Sequence, residues 1–187
     1  MSRPPDLRKR ADLLADVTSY LVRHGVADLS LRPLAAELGT SSRMLIYYFG
    51  TKEALIGQAL AAARPDLDRL LADIDTAEDL REAAWDMWVE VSRGSQVQSM
   101  QVLLQLLGLA VVEPSPYAPL AREVLHAWLD PISASLQGLG RSHDEAERDA
   151  TLLVSGMRGL CNDLLVTHQR QRIDRAAATL IDHVLEP

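Results

Sequence analysis

The sequence predicts an all-α protein of about nine helices, with a three-helix helix-turn-helix head at the amino end and a larger helical body behind it. Three observations carry this expectation. Apolar residues recur at three- and four-residue spacing along most of the 187 residues, and no segment shows convincing strand alternation. Capping residues, glycines and prolines punctuate the chain at helix-length intervals. Residues 30–53, SLRPLAAELGTSSRMLIYYFGTKE, set two short helical patterns about a glycine and follow them with aromatics and a lysine.

The first helix is expected from near Asp6, with Leu7, Ala11, Leu14, Val17 and Leu21 on one stripe, to His24-Gly25. In the second, Leu31, Leu34, Ala35 and Leu38 share a face and Ser30 stands where a hydroxyl caps. Pro33 falls in the first turn, where its missing N–H has no partner to lose, and Gly39 suits a left-handed turn after the helix end. Ser41 caps the third. Leu45 and Phe49 resume the apolar stripe there, leaving Ser42, Arg43, Met44, Ile46 and Tyr47 mostly on the opposite face, which a DNA major groove admits. Thr51 caps a fourth helix with Leu55, Ile56, Ala59 and Ala63 inward, ending at Pro65.

In the body, Thr76 caps a helix over 77–92 with Leu80, Ala84, Met87, Trp88 and Val91 at core spacing, and Gly94 ends it. Ser95 opens a helix to about Val112, apolar on several sides, which residues 113–116 break. Pro116 suits the first turn of a long helix bearing Leu120, Val124, Trp128 and Leu129, which Pro131 is expected to kink or split before Gly138. Ser142 and Glu145 form a capping-box pattern for a helix to about Gln169, and Asp174 is expected to cap a last helix ending near Leu185. One stripe there is Leu153, Gly156, Met157, Leu160 and Leu164; the other is Ile173, Ala177, Leu180, Ile181 and Val184. Both serve the chain's own core, or they pack against a second chain as a four-helix bundle in which Gly156 and Gly159 permit close approach.

The net charge of −7 is unevenly placed. Residues 1–55 carry eight Lys or Arg against six Asp or Glu, and residues 56–187 carry eleven against twenty, so the head is locally positive. Attraction to phosphate acts over roughly 10 Å at moderate salt, which makes the local sign the relevant one. Arg3, Arg8, Lys9 and Arg10 form either an arm that meets phosphates or a minor groove, or a solvated basic tail. A single cysteine, Cys161, excludes an intrachain disulfide framework. With no signal-like or membrane-length apolar stretch, a cytoplasmic location is expected. The sequence holds no G-x-S-x-G elbow, phosphate loop or H-E-x-x-H motif, and its five histidines do not pair at one-turn spacing. It therefore points to no enzyme, no cofactor and no metal site.

From about Leu7 to Leu60, and most densely over residues 31–53, the chain resembles the tetracycline-repressor-like (TetR) family of transcriptional regulators. The resemblance rests on LRPLAAELG, the serine opening the third helix, Leu45, the aromatic run ending in Phe49, and Thr51-Lys52-Glu53. The family usually has Leu-Tyr-x-His-Phe where this chain has Leu45-Ile46-Tyr47-Tyr48-Phe49, so Ile46 replaces the tyrosine that typically reaches the DNA backbone. Tyr47 and Tyr48 offer replacement hydroxyls, and Ile46 offers an apolar contact to a thymine methyl.

The resemblance implies a homodimer through the last two helices, reading a palindromic double-stranded operator whose half-sites lie about one DNA turn, roughly 10 base pairs, or a multiple apart. It places Ser42, Arg43, Met44 and Tyr47, with Arg32, at base edges, and Ser41, Tyr48, Thr51 and Lys52 at phosphates. For Arg43 the alternative is a solvated helix arginine, and for Tyr48 core packing. The family also implies a small-molecule ligand in the body that releases DNA. Candidate walls are Trp88, Met100, Leu104, His126, Trp128, Met157, Arg158 and Cys161, although aromatic and methionine stripes at this spacing also make ordinary core. The expected division is residues 1–50 as the DNA-binding domain and 51–187 as the ligand-binding and dimerisation domain. The alternatives are a constitutive DNA-binding protein with no ligand, and a helical enzyme or adaptor that does not bind DNA.

Overall fold

The computed structural model describes residues 7–63, 67–112 and 114–186. Among these, ten helices and no strand occur: α1 (Leu7–His24), α2 (Leu31–Glu37), α3 (Ser42–Phe49), α4 (Lys52–Ala63), α5 (Leu67–Leu70), α6 (Ala77–Arg93), α7 (Val97–Ala110), α8 (Ala118–Gly138), α9 (His143–Thr167) and α10 (Arg170–Val184). The single turn α5 is an addition to the expected set. Two compact units result, one from Met1–Arg64 with Gln101–Val124, the other from Pro65–Met100 with Leu125–Pro187. Helix α4 and residues 101–124 thus group with the helix-turn-helix.

In the first unit α1 packs on α4, α2 on α3, and α3 on α4. Its core is Val17, Leu21, Val26, Leu34, Leu45, Leu55 and Ile56, each almost fully removed from water. Burial of a side chain of this size is worth about 1.5 to 3 kcal/mol, so the apolar stripes, not helix propensity, hold helices as short as α2 and α3. Ala11, expected on the α1 stripe, is exposed; the buried stripe runs Leu13, Leu14, Val17, Tyr20, Leu21. Expected caps hold at Ser41, whose Oγ accepts from Met44 N at 3.2 Å, and Thr51, whose Oγ1 accepts from Ala54 N at 3.0 Å. Ser30 occupies the N-cap of α2 but its side chain makes no capping bond. Gly39, at φ 61°, takes the left-handed conformation that lets the chain reverse between α2 and α3.

In the second unit α10 packs on α9 and on α6, and α6 on α9. The predicted capping box Ser142–Glu145 forms, and the expected Thr76 cap also completes one with Asp79. Helix α8 continues through Pro131, so of the two expected effects, kink or split, the split does not occur. One expectation, the Asp174 cap, is corrected. The last helix starts at Arg170 behind Gln169, and Asp174 lies inside it, accepting from Trp88 Nε1 and Arg93 Nη1 at 2.9 Å each. Helix α9 ends close to the expected Gln169, capped by His168, a non-glycine residue at φ 57°.

Leu153, Met157 and Leu164 of α9 and Ile173, Ala177 and Ile181 of α10 are buried within the single chain. These stripes form the chain's own core. Gly156 allows the closest approach, since a Cβ built there would lie 2.4 Å from Leu180 Cδ2. Asp149, 3% exposed, is the main buried charge, gripped by Arg141 and Arg148; Arg141 also donates to the carbonyls of Val184 at 3.0 Å and Glu186 at 2.7 Å.

Candidate nucleic-acid interface

The helix-turn-helix presents one face of α3 to solvent because the other is anchored. Leu45 and Phe49, 1% and 4% exposed, fix the inward side, and the spacing of 3.6 residues per turn then turns Arg43, Ile46 and Tyr47 outward. Arg43 is exposed, and Ile46 and Tyr47 are 45% and 48% exposed. Ser42 and Met44 flank this stripe, half-buried.

Two tethers set the pose of α3. At its start, Ser42 Oγ donates to the Leu31 carbonyl at 3.1 Å, tying it to the first turn of α2. At its end, Gln58 Nε2 of α4 donates to the Phe49 carbonyl at 3.2 Å, and Gln58 Oε1 accepts from Arg10 Nη2, whose guanidinium sits 5.6 Å from the Phe49 ring centroid. Arg10, grouped by sequence with a basic arm or tail, is instead part of the α1–α4 framework. Arg3 lies outside the described residues. Sequence reasoning missed Gln58, because a polar residue in an apolar helix signals nothing about a partner nine residues earlier.

The remaining expected DNA contacts surround the stripe. Arg32 on α2 is exposed, as are Ser41 and Thr51 at the N-caps of α3 and α4. Tyr48 is half-buried, its ring 6.0 Å from that of Phe49, and Tyr47 meets Tyr48 edge-on at 5.5 Å. Lys52 Nζ lies 5.6 Å from the Tyr117 ring centroid, a position that leaves it at the start of α4 beside Thr51. N-terminal N–H groups of α3 and α4, with these hydroxyls and cations, are suited to phosphate oxygens. Within the same unit, Gln105 Oε1 of α7 accepts from Val26 N at 2.9 Å in the turn between α1 and α2, and a Cβ built on Gly57 of α4 would meet Leu120 Cδ1 of α8 at 2.6 Å.

The expected ligand-pocket residues are spread differently. Leu104 belongs to the first unit and is half-buried; the other seven belong to the second. Trp88, Met100, Met157 and Cys161 are buried, Trp128 is half-buried, and His126 is exposed with Nδ1 3.5 Å from Asp130 Oδ1. Half-buried Arg158 donates to Ser155 Oγ at 3.2 Å, and burial lowers its pKa; burial likewise pushes the Cys161 thiol up to about 12. Two cavities of the second unit, about 540 Å³ near Arg141 and Asp149 and about 400 Å³ beside Trp85, are lined by none of the eight. No group of three or more His, Cys, Asp or Glu suited to a metal occurs among the described residues, and no described helix is long and apolar enough to cross a membrane.

Fold and site together define an all-helical protein with an N-terminal helix-turn-helix whose third helix turns one face to solvent. Residues 18–59 match the family described as bacterial regulatory proteins, tetR family. The chain is similar throughout its length to a TetR transcriptional regulator from Legionella pneumophila (15% identity, 99% of this chain and 100% of that one, TM-score 0.73). It is similar also to SmeT, the repressor of the Stenotrophomonas maltophilia multidrug efflux pump SmeDEF (19%, 94% and 88%, 0.72), and to a regulator from Saccharomonospora viridis in complex with choline (21%, 96% and 96%, 0.72). No curated protein matches the sequence. The N-terminal segment thus matches that family's model, and the whole chain shares the fold of these proteins.

Proposed function

We propose that this chain is a dimeric, sequence-specific DNA-binding transcriptional regulator, acting as a repressor that a small molecule releases from a palindromic operator. The observation that carries it is the solvent-facing stripe Arg43, Ile46, Tyr47 on a helix pinned at both ends, within the segment that matches the family. Arg43 and Tyr47, with Arg32, Ser42 and Met44, read base edges; Ser41, Tyr48, Thr51 and Lys52 hold phosphates. The helices that read DNA lie within residues 1–50, steadied by α4 and residues 101–124 of the same compact unit.

A single short helix reads too few base pairs to select a genomic site, so the reading unit is doubled by symmetry. With the inner stripes of α9 and α10 spent on the chain's own core, the self-association face is the outer side of α9. There Leu152, Ser155, Gly159, Asn162 and Val166 are exposed, Leu152 and Val166 by 51% and 73%, and a Cβ on Gly159 would meet open space. Leu152, Gly159 and Val166 fall at heptad spacing, which lines one helix seam.

Ligand control is supported by related folds: SmeT has been captured with triclosan and the S. viridis regulator with choline. In this chain the ligand would sit in the second unit, with Trp88, Met100, His126, Trp128, Met157, Arg158 and Cys161 as its candidate surroundings and Arg158 orienting an acidic group. Selection of bound duplexes from a random library, followed by gel shift with added metabolites, tests the whole proposal. A recovered palindrome whose complex one metabolite class dissolves supports it. Recovery of no motif at low salt overturns DNA reading, and a complex that no metabolite dissolves overturns ligand release.

A further inference from the structure

The outward stripe of α3 carries a residue that the fold does not need there. Ile46 is 45% exposed while Leu45 and Phe49 already supply the helix's buried contacts. Its neighbours on the stripe are a cation, Arg43, and a phenol, Tyr47, whose ring stands against Tyr48 at an interplanar angle of 71°. The Ser42 hydroxyl donates to the Leu31 carbonyl and so offers a base edge its acceptor side only. The exposed aliphatic side chain of the stripe is therefore Ile46, with Met44 beside it half-buried.

Resting on the DNA-reading function proposed above, we propose that Ile46 reads the 5-methyl group of a thymine lying within about two base pairs of a guanine held by Arg43. The thymine methyl is the apolar feature of the major-groove edges, and an arginine fork matches guanine O6 and N7. A branched alkyl group set against any other base edge strips water from a donor or acceptor and offers nothing in return. The spacing follows from the helix. Side chains three apart on one face lie about 5–6 Å apart at Cβ, and successive base pairs are about 3.4 Å apart, so the two contacts fall one or two steps from each other.

The test begins with a duplex selected from a random library by the full chain. Each thymine of both half-sites is then replaced in turn by deoxyuridine, which lacks only the methyl, and affinity is measured by fluorescence anisotropy. One thymine per half-site, within about two base pairs of a selected guanine, is expected to lose about fourfold in affinity on replacement, the worth of one methyl-sized apolar contact. Ile46→Ala should bind thymine and uracil duplexes equally, while Ile46→Val should keep the discrimination. Circular dichroism melting checks that both variants fold, as expected for an exposed position. Uracil tolerated at every position, or discrimination that survives in Ile46→Ala, overturns the inference. Failure to select any duplex instead overturns the regulator function itself and this inference with it.

Discussion

Replacing Asp149 by asparagine removes the negative charge from the most buried ionic cluster of the second unit. Asp149 is 3% exposed and accepts from both Arg141 and Arg148, and the Arg141 side chain is itself only 21% exposed. Losing one partner of a buried pair costs about 3 to 5 kcal/mol when the other is stranded. Here Arg141 keeps the Val184 and Glu186 carbonyls, and Arg148, 61% exposed, turns to water, so the expected loss is about 2 to 3 kcal/mol. In a chain of this length that lowers Tm by about 4 to 12 °C. Urea unfolding at fixed protomer concentration measures it. Burial raises the Asp149 pKa, but the bonds from Arg148 and Arg141 and their charges more than offset that and hold it below the ordinary 3.8. A depressed carboxylate stabilises above its unfolded value, so the gap between wild type and Asp149→Asn should persist from pH 7 to 5. It should close only as pH falls through 3.8 and below. A loss under about 0.5 kcal/mol at pH 7, or a gap that closes near pH 6, would refute the reasoning.

Other expectations follow from the head and the body. Arg43→Ala should relax preference at one operator position at a cost of about 1 to 3 kcal/mol, whereas Lys52→Ala should weaken binding evenly across sequences and lower its salt dependence, both read by anisotropy against operator variants. Ser41→Ala removes the acceptor of Met44 N and should destabilise the fold by about 1 kcal/mol in urea titration, with Ser41→Gly costing less. Gly159→Arg meets open space in its own chain, so it should leave the melting of a dilute protomer intact yet yield a monomer in light scattering. Cys161, buried and with its thiol pushed up to about 12, should resist iodoacetamide at pH 8 until denaturant is added.

How far these features were legible in the sequence depends on range. Ser41, Thr51, Thr76 and Ser142 act on a backbone N–H within three residues, so their capping could be read directly, as could the outward turn of Arg43 from the inward Leu45. Asp174 has the chemistry of a cap and was expected to be one. Its partners, Trp88 and Arg93, stand 86 and 81 residues away, a distance at which no local pattern speaks. Trp88 illustrates the same limit, since a helical stripe has one period whether it lines a cavity or fills a core. Arg10 looked like part of a free basic run; only the fold brings Gln58 and Phe49 to it.

Helix α9 divides its labour by face. Leu153, Met157, Cys161 and Leu164 look into the protomer, while Leu152, Ser155, Gly159, Asn162 and Val166 alternate with them toward water. In the dimer proposed above, substitutions on the second set leave the first untouched, so partner choice is free to drift while foldability is insulated. Duplicated genes for such a chain would then diverge into non-mixing pairs through a handful of changes on one helix, without rebuilding the scaffold beneath.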